Sequence, residues 1–133
     1  MTVRAARAWF AVQAAAIAAW WIVLWLRPSA RALFRPPEAP DATLLAFAPG
    51  DVVIAIASAV LARAPAVRWR GALGWTVAGA MVYATAYTVA LAASCAAGVF
   101  GAILMAPAAL ASLLAARALH HAHADALPDR RSR

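Results

Sequence analysis

Residues 71–116 run for forty-six positions without one charged side chain. A helix rises about 1.5 Å per residue and needs about 20 apolar residues to cross about 30 Å of hydrocarbon. The stretch is too long for one crossing and suits two joined by a tight reversal. The small, polar group Ser94, Cys95, Ala96, Ala97 and Gly98 marks that reversal. A third span over 71–93 and a fourth over 98–117 follow, with Pro107 expected to kink the fourth.

Two spans precede them. Residues 8–26 lie between Arg7 and Arg27 with only Gln13 strongly polar, which makes the first span. The second, 42–64, is broken at 49–51 by Pro49, Gly50 and Asp51. Asp51 is placed to cap a helix from Val52 to Ala64, stopped by Pro65, but such a helix covers only about 20 Å. Residues 44–48 must complete the crossing, as a half-helix kinked at Pro49 and Gly50 or as a segment dipping into the bilayer. Either geometry sets Asp51 at or below the headgroups. Composition agrees: 66% of the 133 residues are hydrophobic, 13% are charged and 42 are alanine, against about 45–50% apolar and about 25% charged in soluble domains. Small side chains let helices in lipid approach closely. The four-residue spacings of Gly71, Trp75, Gly79 and Tyr83, and of Ala78, Val82, Ala86 and Ala90, place the third span at the centre of the bundle. The expected fold is a single all-α membrane domain over 1–133. It is a four-transmembrane-helix bundle with a short outer interfacial helix in 27–41 and a tail in 118–133.

All twelve basic residues are arginines, and the formal charge is +7. Nine arginines (4, 7, 63, 68, 70, 117, 130, 131 and 133) share the side of the termini, against Arg27, Arg31 and Arg35 opposite. The positive-inside rule then puts both termini in the cytoplasm of what reads as a bacterial inner-membrane protein. Trp9, Trp69 and Trp75 at one boundary and Trp20, Trp21 and Trp25 at the other fit aromatic belts. Arg4, Arg7 and an Ala30-Arg31-Ala32 site mimic a secretory signal, but the apolar run is longer than such signals carry. Arginines that flank spans are topology signals and lipid contacts, so no nucleic-acid partner is expected. The chain carries no phosphate-loop, dinucleotide or zinc-protease motif and a single cysteine, Cys95, so neither cofactor nor thiol redox chemistry is implied.

Chemistry-bearing residues are few. Asp51 is an ionisable group in or beside a span, expensive there unless it faces protein, cavity or partner, and equally able to serve as a plain cap. Tyr83 and Tyr87, at i and i+4, join it in the same leaflet with Thr88 and Ser94, either around a ligand or as hydrogen-bonding glue between helices. Arg27, Arg31 and Arg35 recur every fourth residue. They can hold a head group or can snorkel, neutralised by Glu38 and Asp41. His120, His121 and His123 supply two ligands per helix face, too few for a metal site.

Three functional classes fit these residues. The first is a noncatalytic bundle, serving as an accessory subunit to a membrane partner or binding a hydrophobic small molecule. The second is an intramembrane enzyme on a lipid or isoprenoid-like substrate, with Asp51 as acid or base and Tyr83 and Tyr87 positioning substrate under the arginine face. The third is a proton-coupled transporter with Asp51 as carrier, which needs a homo-oligomer to enclose a path.

Overall fold

The computed structural model describes residues 1–32, 34–36, 38–63, 69–93 and 96–124. Among them every regular element is a helix: α1 (Val3–Leu26), α2 (Pro28–Arg31), α3 (Asp41–Leu45), α4 (Ala48–Arg63), α5 (Trp69–Ala92) and α6 (Ala96–Ala124). Four stretches are long and apolar enough to cross a membrane: Val3–Leu26, Asp41–Arg63, Trp69–Ala92 and Gly98–Ala122. The bundle expected from the charge-free runs is present.

Local chemistry sets the helix ends. Thr2 caps α1, its hydroxyl accepting from the Ala5 amide at 3.2 Å. The Leu24 carbonyl near the other end of α1 accepts from Arg31 Nε at 2.9 Å. α6 stays helical through Pro107. Gly98 is required where α5 turns into α6, because a Cβ there would collide with the backbone of Leu91 and Ala92.

The second span differs in detail from its sequence reading. The interruption falls at Ala46 and Phe47, between α3 and α4, not at 49–51. Pro49 is the second residue of α4, where a missing N–H leaves no helical bond unmade. Asp51 is therefore not an N-cap. It lies within the first turn, its amide donating to the Phe47 carbonyl at 3.0 Å.

Helices α5 and α6 pack most extensively, α1 packs on α4 and α6, and α4 packs lightly on α5. The third span is thus one of four helices that each pack on two neighbours, and its contact with α6 is the most extensive. Its packed stripe is Gly71, Gly74, Val77, Ala78 and Met81, whereas Trp75, Gly79 and Tyr83 are exposed. A Cβ on Gly74 would meet Ala116 Cα at 3.4 Å, and one on Gly71 would meet His120 Nδ1 at 3.2 Å. The glycines bring the two backbones close.

The main core cluster lies toward the end carrying the termini. Ala6, Phe10, Leu61, Val77, Ala115 and Leu119 form one buried cluster there. Above it lies a polar layer. Gln13 Nε2 donates to Ser58 Oγ at 3.3 Å, Ser112 Oγ lies 2.7 Å from Gln13 Oε1, and Trp9 Nε1 donates to Ser112 Oγ at 3.1 Å. These bonds tie α1, α4 and α6 where no water competes. At the rim, Arg7 donates to the carbonyls of Ala62 (2.8 Å) and Arg63 (3.2 Å), and Arg70 Nη2 reaches that of Leu61 at 3.5 Å. Both arginines meet the negative end of the α4 dipole. The outward faces, with Val53, Ile56, Leu26 and Ile103 all more than half exposed, are apolar surface that only lipid or protein can cover.

Candidate functional site

At the opposite end the four long helices diverge around a cavity of about 600 Å³. Bulk separates them. Trp20 and Trp21 of α1, Phe47 before α4, Tyr87 and Leu91 of α5, and Phe100 and Leu104 of α6 all line the space. In the packed half, the facing positions on α5 and α6 are instead Gly74, Ala78, Ala109, Ala115 and Ala116. Gln13, Met81 and Ala108 make the floor, so the polar layer seals the cavity from the core. Phe34, Arg35, Pro36, Thr43 and Leu44, from the strap between α1 and α4, roof it.

Asp51 stands in this wall. Its Oδ2 accepts from Trp21 Nε1 at 2.9 Å, and Oδ1 has no hydrogen-bond partner among the described residues. The first turn of α4 suits an acid, because unpaired amides and the positive dipole end lie there. The indole supplies one neutral hydrogen bond and no counter-charge.

The other candidate residues separate. Tyr87 lines the cavity with its ring tilted against Phe47, centroids 4.9 Å apart. Tyr83, four residues earlier, also lines the cavity but is 73% exposed. Thr88 lines the wall, but its hydroxyl donates to the Thr85 carbonyl at 2.8 Å. Thr85 bridges α5 to α6 through the Met105 carbonyl at 3.1 Å, the gluing role open to such hydroxyls. Ser94 lies outside the described residues.

The three arginines share no cationic face. α2 lasts a single turn, so the four-residue spacing is not carried by one helix. Arg31 and Arg35 converge on Asp41, at 3.4 and 3.0 Å, while Arg27 is exposed at the end of α1 and does not line the cavity. Arg35 also donates to the carbonyls of Pro36 and Ala39, and the Arg31 guanidinium lies 5.5 Å over the Trp25 ring. Trp20 meets Phe34 edge-on, centroids 4.2 Å apart, which helps seat the strap.

Sequence reasoning did not find Trp21 as the partner of Asp51, nor Ser112 or buried Arg70. Trp9 and Trp21 turn inward to hydrogen-bond, so belt positions fit Trp25, Trp69 and Trp75, all exposed. Gln13 was visible as the one strongly polar residue of its span; nothing in the pattern tied it to Ser58 and Ser112. His120 and His121 stack edge-on at 6.0 Å, and among the described residues no three metal-ligating groups gather.

The chain was compared with models of protein families, with characterised proteins and with solved structures, and none of the three gives a match.

Proposed function

We propose that this chain is a noncatalytic bundle of the bacterial inner membrane, with cytoplasmic termini, that binds a hydrophobic small molecule between its four helices. The observation that carries this reading is the cavity of about 600 Å³, walled by all four long helices and lined almost wholly by apolar and aromatic side chains. That volume lies within the range of small-molecule sites, about 300–1,000 Å³, and the pattern of many apolar walls with few polar groups is theirs. The arginine excess near the terminal end supports the orientation.

Binding accounts for more of the geometry than catalysis does. An acid–base enzyme needs its groups to converge on one reacting atom. Here Tyr83 is 73% exposed, the Thr88 hydroxyl is spent on its own helix, and Arg31 and Arg35 are occupied by Asp41.

Mass spectrometry of material copurifying in mild neutral detergent tests the reading. One apolar small molecule per chain is expected with the wild type, and much less with Ala84→Phe, which fills the wall. No such molecule, or equal amounts from both proteins, would reject it. A stoichiometric protein partner in its place would establish the accessory-subunit reading instead.

A further inference from the structure

The cavity has one electrostatic asymmetry, and it narrows the class of occupant. Several of its polar lining groups are engaged within the protein. Gln13 is held by two serines, Thr88 by the Thr85 carbonyl, and Arg35 by Asp41 and the strap carbonyls. The Thr43, Tyr83 and Tyr87 hydroxyls and the Trp20 N–H have no hydrogen-bond partner among the described residues but are neutral, whereas Asp51 is an acid with no ion pair among them: one carboxylate oxygen takes the Trp21 N–H, and the other has no hydrogen-bond partner there. Arg35, the cation that lines the same cavity, is committed with Arg31 to Asp41.

Resting on the ligand-binding reading above, we propose that the cavity takes a lipophilic amine, with its apolar body among the aromatic walls and its ammonium against the open oxygen of Asp51. An ammonium supplies both things the carboxylate lacks, a hydrogen-bond donor and a positive charge. The walls favour the same class independently of Asp51. Trp20, Trp21, Phe34, Phe47 and Tyr87 all line the space, and aromatic faces attract a desolvated cation. An alcohol of the same length satisfies the hydrogen bond only, and a fatty acid brings a second negative charge into a site of low polarity.

Titration calorimetry in neutral detergent with dodecylamine, dodecanol and dodecanoate at pH 7 reads the selectivity directly. For the wild type we expect dodecylamine to bind about tenfold or more tighter than dodecanol, equivalent to about 1.4 kcal/mol, with dodecanoate weakest. In Asp51→Asn the amide oxygen can still accept from Trp21, so the fold and dodecanol binding persist while the preference for the amine disappears. Equal binding of amine and alcohol by the wild type overturns the proposal without any variant, and so does a preference that survives Asp51→Asn. A different failure marks the broader reading. If none of the three probes binds the wild type, or if all bind Ala84→Phe as tightly, the cavity is not a ligand site at all.

Discussion

The two ends of the bundle are built from the same helices yet solve opposite problems. At the terminal end, small residues let α5 and α6 approach until Gly74 faces Ala116, and the gap between α1, α4 and α6 is closed by Phe10, Leu61 and Leu119. At the other end, Trp20, Phe47, Tyr87 and Leu104 line a cavity, and few of the described residues, Trp21 and Leu24 among them, are buried. Lipid supplies no hydrophobic drive for helix association, so close contact and internal hydrogen bonds must supply it. Stability is concentrated where side chains are smallest, and the open half is carried by the closed one.

The sharpest way to break this contrast is to make one chemical change in both halves. Ala116→Leu inserts three carbons into the α5–α6 contact, where Ala116 is fully buried, and should cost about 2–3 kcal/mol. Ala84→Leu projects the same carbons into the cavity and should stay within about 0.5 kcal/mol. Unfolding in mixed micelles of increasing denaturing-detergent fraction, followed by circular dichroism, measures both. Equal losses would mean that the cavity is as tightly packed as the core.

A smaller effect is expected at the boundary between the halves. Gln13→Leu removes two hydrogen bonds in the layer that seals the cavity floor. Interhelical bonds in membranes are worth about 0.6 kcal/mol each, and Ser112 can turn wholly to the Ala108 carbonyl, 2.8 Å away. The same unfolding assay should register a loss of about 1 kcal/mol. A stabilised variant would show that the layer serves something other than cohesion.

The smallest contrast lies within the packed end. Arg7 makes two bonds to the last carbonyls of α4, and Arg7→Met should cost about 0.5–1 kcal/mol. Arg70 is 5% exposed, and among the described residues it makes one long bond and its Nε has no partner. Replacing a poorly satisfied buried charge with an apolar side chain is often neutral or better. Arg70→Met should therefore leave stability within about 0.5 kcal/mol or raise it, and a loss larger than that of Arg7→Met would show that Arg70 carries an interaction of its own.

Much of the fold was legible in the sequence, because crossing a bilayer is a demand each helix meets alone. Uninterrupted apolar length marks a span, and all four were found within a few residues. The second span was harder, since Pro49 and Gly50 look like a break, yet proline is tolerated in a first helical turn and the interruption moved to Ala46 and Phe47. The site was half legible. An acid in an apolar run singled out Asp51, and the i, i+4 spacing paired Tyr83 with Tyr87, both of which line the cavity. How far each is covered was not legible: helix rotation is set by neighbours, and α5 turns its glycine stripe toward α6, which leaves Tyr83 73% exposed.

By itself, then, the sequence determined the solvent, the number of crossings, and the presence of one costly carboxylate among apolar residues. These are one-dimensional properties, set by run length and charge along the chain. Tertiary structure alone decided which faces meet: that Trp21, thirty residues away, donates to Asp51; that Gln13 joins Ser58 and Ser112; and that Asp41 claims the arginines. Each of these depends on helix rotation and spacing, and both follow from how small and large side chains fit across an interface.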